Sequence, residues 1–134
     1  MIGVLIVTHG SIGESLLSSA GQILGGVPQL VATLGVSRSD DPDDITLHAR
    51  ELLEGLDQGD GVLVLTDIFG ATPGNVISRL LDDGHIEGVS GLSLPMLLRV
   101  LTGRNGSLPG AVKRALSGGA EGLVHMNTDR CADG

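Results

Sequence analysis

A chain of 134 residues, 41% of them hydrophobic, can form one domain that buries roughly two-thirds of its unfolded surface, which excludes a disordered polymer. Its formal net charge of −8, with no run of Lys or Arg, argues against nucleic acid and suits either a protein partner with a positive docking face or solubility alone. A lone cysteine, Cys131, rules out an internal disulfide and fits a reducing, cytoplasmic compartment.

Phe69 is the only aromatic residue, so the core must be built from Leu, Ile, Val, Ala and Met. Ile2–Thr8 reads as a first, buried strand; it is too short and too little flanked by basic residues for a signal peptide, and no stretch is long enough to span a bilayer. Ser11 and Glu14 have capping-box spacing ahead of a helix over Ile12–Leu24, with Ile12, Leu16, Leu17, Ala20, Ile23 and Leu24 on one face. Gly25-Gly26 ends it, and Leu30–Leu34 is a second strand. The acidic loop Ser37–Asp44 leads to a helix near Asp43–Leu56 whose apolar face is Ile45, Ala49, Leu52, Leu53 and Leu56. Gly61–Thr66 is a third strand. After the loop Asp67–Thr72 a helix starts with Thr72 at the cap and Pro73 at its first position. A fourth strand is expected near Gly88–Leu92, a short helix from Pro95-Met96, a turn at Arg104-Asn105-Gly106, a helix over Leu108–Leu116, and a last short strand over Gly122–Met126.

Strands alternating with helices predict a three-layer α/β/α fold: an open, mainly parallel sheet with right-handed crossovers and helices on both faces, in a single domain over 1–134. In such sheets the working site lies beyond the carboxyl ends of the strands, where strand order reverses. That directs attention to His9-Gly10-Ser11, Asp67–Asn75 and Leu94-Pro95-Met96.

Val4–His9 matches Val62–Asp67 nearly residue for residue, so if the first and third strands are neighbours in register, His9 and Asp67 stand at equivalent positions. Adjacent strands lie about 4.8 Å apart, which brings imidazole and carboxylate within hydrogen-bonding reach. A carboxylate accepting Nδ1–H fixes the tautomer and favours positive charge on the ring, leaving the Nε2 lone pair as a nucleophile toward phosphorus. His9 stands just before one helix start, and Gly70-Ala71-Thr72-Pro73 opens another. Free amides there, with Gly10 and Gly70 allowing close approach and the Thr72 hydroxyl donating, would hold phosphate oxygens. Neither loop contains Lys or Arg, which suits a phosphoryl group that must leave again.

These segments resemble the IIA component of the mannose family of the bacterial phosphoenolpyruvate-dependent sugar phosphotransferase system. Thr8-His9-Gly10, Asp67-Ile68-Phe69-Gly70-Ala71-Thr72-Pro73-Gly74-Asn75 and Gly91-Leu92-Ser93-Leu94-Pro95-Met96-Leu97 carry the match. The resemblance implies a phosphotransferase working through a phosphohistidine: His9 takes a phosphoryl group from the carrier HPr and passes it to a IIB protein, with Asp67 orienting it and Gly10, Ser11, Gly70, Ala71 and Thr72 near the phosphate. Phe69, Pro73, Asn75, Pro95 and Met96 would form the site rim or partner surface. It further implies a homodimer, in which Gly122–Met126 is the candidate for an exchanged strand. The chain ends at Gly134 without a fused IIB domain, so a separate acceptor is expected. Ala71, Gly74 and Ser93 depart from the family's commonest pattern, standing where a second glycine, a bulky residue and Asn are frequent.

Three rivals share parts of the pattern. The phosphotransfer subunit of a dihydroxyacetone kinase would have the same fold and nucleophile, but Thr72-Pro73-Gly74-Asn75 favours the mannose type. A histidine phosphatase needs an arginine where Thr8 stands. A flavodoxin-like ligand-binding or regulatory module would need an aromatic to stack a flavin, and only Phe69 is available; no dinucleotide or P-loop glycine motif occurs. No cofactor or metal is expected: His48 and His85 read as surface residues, His125 as strand or interface, and Asp40, Asp41, Asp43 and Asp44 as a solvated, helix-capping loop without the ligand spacing of a calcium site.

Overall fold

Among the described residues, buried, β-branched runs become four strands and amphipathic runs become five helices, three between strands and two after the last, in the order β1 (Gly3–His9), α1 (Ile12–Leu24), β2 (Val31–Val36), α2 (Pro42–Leu56), β3 (Val62–Thr66), α3 (Thr72–Ser78), β4 (Ile86–Ser90), α4 (Leu94–Leu101) and α5 (Leu108–Glu121). The structure, a computed structural model, describes residues 1–128; Cys131 lies outside the described residues. All strands are parallel, in the order β2-β1-β3-β4. The chain first steps from β1 to one side and then returns to the other, so strand order reverses between β1 and β3.

Both faces of the sheet are covered. Val4, Ile6, Leu63 and Leu65 pack with Ala20, Met96, Leu97, Val100, Ala111 and Ala115, under α1, α4 and α5. The alternate residues Leu5, Val7, Val62 and Val64 pack with Ile45, Ala49, Leu53, Val76 and Ile77, under α2 and α3. This period-two division makes β1 and β3 continuously apolar, as a doubly covered parallel sheet requires. Among the described residues no helix is long and apolar enough to cross a membrane.

Several expectations are corrected. Ser11 does not cap α1 through its side chain; the Thr8 hydroxyl does, accepting the Gly13 N–H at 2.8 Å from the preceding strand. Ile12, Ile23 and Leu24 remain exposed although they fall on the apolar face of α1. That helix packs on β1, the edge strand β2 and α4, and these cover only its middle, through Leu16, Leu17 and Ala20. α3 begins one residue early, with Ala71 at the cap and Thr72 and Pro73 within the first turn. No strand forms over Gly122–Met126: Leu123–His125 are irregular, and a helical turn covers 126–128.

Arg104 is the unexpected element. It is only 6% exposed, and its Nη1 donates to the carbonyls of Ile2 (3.4 Å) and Leu30 (3.3 Å). Its own carbonyl accepts the Ile2 N–H at 2.9 Å. Burial pulls its pKa below the usual guanidinium value. The Leu30 carbonyl it holds belongs to a residue with φ of +57°, a left-handed conformation that a leucine adopts only when its surroundings impose it.

Candidate functional site

β1 and β3 end side by side at the point where strand order reverses, the usual place for a site in an open parallel sheet. The register is offset by one residue from the sequence match: Val4 pairs with Leu63 and Val7 with Thr66, so Asp67 stands beside Thr8, not His9. The offset keeps Val4 and Leu63 on one face, which sequence alone could not settle because both faces are apolar.

The offset still brings His9 and Asp67 together, through hydrogen-bond order in the ladder. Gly3 N–H donates to the Gly61 carbonyl, and in a parallel pair the donors on that side recur every second residue. His9 N–H is next in that series after Val7, and the Asp67 carboxylate stands in for a ladder carbonyl, accepting it on Oδ2 at 3.1 Å. The same oxygen lies 2.9 Å from His9 Nδ1. Oδ1 accepts the Ile68 N–H at 3.0 Å and the Thr66 hydroxyl at 3.4 Å.

Burial, which leaves the Asp67 side chain 10% exposed, is the largest influence on its pKa and pushes it upward; the hydrogen bonds from the His9 ring, the His9 N–H and the Ile68 N–H, with the charge of His9, together outweigh it and hold the carboxyl below its usual value. An ionised carboxylate can only accept, so the ring proton resides on Nδ1. Nε2 has no hydrogen-bond partner among the described residues, and the His9 side chain is 46% exposed. The arrangement offers solvent a lone pair on a ring whose tautomer is fixed from behind.

The other expected residues divide. The Gly10 N–H is taken by the Val36 carbonyl at 2.9 Å, so it is not free to hold an anion; that of Ser11 has no such partner among the described residues. Gly70 (φ +86°), Ala71 and Thr72 follow Asp67 into the start of α3. Ala71 has φ of −89° and ψ of 176°, ordinary extended backbone that needs no glycine. Ser93 caps α4 by accepting the Met96 N–H at 3.3 Å, doing what an Asn could do there. Phe69 is 77% exposed, and Ile68, not expected at the rim, is exposed beside it. Asn75 and Pro95 are also exposed. Pro73 and Gly74 are buried in α3. Met96, only 3% exposed, packs under the sheet. Pro73 and Met96 therefore present no surface to a partner, because each lies on the inward side of its helix.

The sequence names Thr8 within the Thr8-His9-Gly10 match but gives it no role at the site. The buried Thr8 hydroxyl joins α1 to β1, and the clue is a threonine as the one polar residue ahead of His9 in an apolar strand. His48 and His85 are exposed, and His125 Nδ1 is engaged with the Thr128 hydroxyl at 2.9 Å. Asp41 accepts the Asp43 N–H at the start of α2, and Asp40 accepts the Ser37 N–H. Among the described residues no group of three His, Cys, Asp or Glu converges as a metal site would require.

Comparison with known proteins bears on this arrangement. The EIIA-man family, described as "PTS system fructose IIA component", matches residues 3–116. The mannose-specific EIIAB component of Escherichia coli strain K12 is 32% identical over 125 residues, 91% of this chain and 38% of that protein. This chain thus spans under two-fifths of that relative's length. The fructose-specific EIIA component of Bacillus subtilis strain 168 is 31% identical over 103 residues, 76% of this chain and 70% of that one. The crystal structure of the phosphotransferase system component EIIA from Streptococcus agalactiae superposes with a TM-score of 0.84 at 28% identity, covering 96% of this chain and 99% of that chain.

Proposed function

The chain belongs to the EIIA-man family of phosphotransferase-system IIA components, and on that premise we propose that it is a cytoplasmic phosphoryl carrier in which His9 receives a phosphoryl group from phospho-HPr and delivers it to a separate IIB protein. The observation that carries this reading is the 2.9 Å contact between Nδ1 and Asp67, which leaves Nε2 as the nucleophile.

In the first transfer the Nε2 lone pair forms a bond to phosphorus as the bond from phosphorus to the donor breaks, its electron pair leaving with the donor. The Nδ1 proton stays between His9 and Asp67 throughout, and the carboxylate stabilises the positive charge that the ring carries at the transition state. In the second transfer the acceptor attacks phosphorus and the electron pair returns to Nε2. The Ser11 amide and the Gly70-Ala71-Thr72 segment are the proposed holders of the phosphoryl oxygens, and both loops lack a cation that would trap the group. Ile68 and Phe69 give the rim an apolar surface for protein partners, with Asn75 and Pro95 as the other rim residues that lie exposed.

The same reading makes the chain a homodimer. β4 is an edge strand, and Leu123, Val124 and Met126 are exposed; residues 122–126 of one copy would add to the free edge of β4 in another.

The test is incubation with phosphoenolpyruvate, enzyme I and HPr, followed by mass spectrometry. The expected result is a gain of one acid-labile phosphoryl group that His9→Ala abolishes and that His48→Ala and His85→Ala retain. A phosphoryl group that persists in His9→Ala, or none on the unsubstituted chain, contradicts the reading.

A further inference from the structure

We propose that Thr8 and Gly35 are positioning residues for His9, holding the His9-Gly10-Ser11 turn from its two sides, a role that rests on the reading of His9 as the phosphoryl acceptor. On the β2 side, Gly10 adopts φ of +49° and donates its N–H to the Val36 carbonyl at 2.9 Å. Val4 N–H donates to the Leu30 carbonyl in the same ladder, so Gly10 extends the β1–β2 pairing one step past the end of β1. The Gly10 carbonyl is thereby laid directly over Gly35. A methyl group at Gly35 would overlap that carbonyl oxygen and stand 3.2 Å from the carbonyl carbon, so the approach exists only because residue 35 has no side chain. The obstruction is backbone, which cannot swing aside as a side-chain tip could.

On the α1 side, the buried Thr8 hydroxyl accepts the Gly13 N–H at 2.8 Å and donates to the His9 carbonyl at 3.3 Å. One oxygen thus ties the first turn of α1 to the main chain of the nucleophile. With the His9 N–H on Asp67 at 3.1 Å, the peptide groups on both sides of the His9 Cα are fixed. Only the side-chain torsions of His9 remain, and Asp67 restrains those through Nδ1. In-line transfer needs phosphorus and Nε2 held about 3–3.5 Å apart and aligned, so displacement of the turn falls directly on the reacting geometry.

Thr8→Val and Gly35→Ala test this, with Thr8→Ser as the conservative variant that keeps the hydroxyl. Gly55→Ala serves as the control, since a methyl group there meets nothing within 4 Å. Three quantities are read for each: the rate of transfer from phospho-HPr against donor concentration, the imidazole ¹⁵N shifts of His9 in unphosphorylated protein across pH, and the urea unfolding midpoint. Thr8→Val and Gly35→Ala should lower the maximal rate by about tenfold to a hundredfold, leave the half-saturating donor concentration unchanged, and move the His9 ¹⁵N signals. Thr8→Ser and Gly55→Ala should match the unsubstituted chain in all of these. Variants that lose only stability, with His9 signals and rate intact in the folded protein, would overturn the proposal. If Gly35→Ala does not fold, the Thr8→Val and Thr8→Ser pair decides alone. If the unsubstituted chain takes up no phosphoryl group, the carrier reading fails, while the ¹⁵N signals still support or overturn the clamp.

Discussion

Replacing Asp67 with Asn keeps the outline of the side chain and removes its charge. The carboxylate receives four donors: the His9 N–H at 3.1 Å, His9 Nδ1 at 2.9 Å, the Ile68 N–H at 3.0 Å and the Thr66 hydroxyl at 3.4 Å. An amide offers one acceptor oxygen in place of two. If that oxygen faces His9, the amide NH₂ meets the Ile68 N–H, a donor against a donor costing about 1–3 kcal/mol. If the oxygen faces Ile68, the NH₂ meets His9 Nδ1, which must then accept; the ring proton moves to Nε2, and the nucleophilic lone pair is gone. Either orientation also removes the negative charge behind the ring. The maximal rate of phosphoryl transfer should fall by about 10²–10⁴, equivalent to roughly 3–5 kcal/mol of barrier. Rapid-quench measurement of transfer from phospho-HPr at saturating donor reads this directly, with urea unfolding to confirm that the variant is folded. A folded Asp67→Asn protein that transfers at the unsubstituted rate would refute the reasoning.

The depressed pKa of Asp67 carries a pH signature. Because its folded value lies below the unfolded value of about 3.9, the stability it contributes is fully present above that pH and is lost as pH falls through the folded value. The unfolding free-energy difference between the unsubstituted chain and Asp67→Asn should therefore be constant near neutrality and shrink on acidification below pH ~4, as urea titrations at stepped pH will show. Arg104→Ala removes the two donations to the Ile2 and Leu30 carbonyls and relieves the imposed left-handed Leu30. It should lower the unfolding free energy by about 2 kcal/mol without changing phosphoryl uptake at His9.

The helices were legible where pattern and caps agreed. α1 occupies the expected residues, because Gly25 in the left-handed conformation ends it as the glycine pair suggested. α5 runs on past Leu116 to Glu121 through Ser117-Gly118-Gly119, since Gly118 is buried against Arg99 and Met96 of α4, a contact no local pattern reports. β2 runs on past Leu34 to Val36, because β1 pairs with it as far as His9. The pairing of His9 with Asp67 was legible from the likeness of the two strands, while their one-residue offset was not, since neither face of either strand is polar enough to set a register. Arg104 read only as part of a turn, and its burial depends on carbonyls from β1 and Leu30 that are distant in sequence. The amides proposed to hold phosphate were the least legible part: which N–H groups remain free is decided by the ladder, and Gly10 is claimed by Val36.

The central claim is that Asp67 holds Nδ1 and leaves Nε2 to react, and the position of phosphorus on the ring measures it. Heteronuclear NMR of the ¹⁵N-labelled, phosphorylated protein should show phosphorus coupled to Nε2 of His9 while Nδ1 keeps its proton. Phosphorus on Nδ1, or on His48, His85 or His125, would contradict the account.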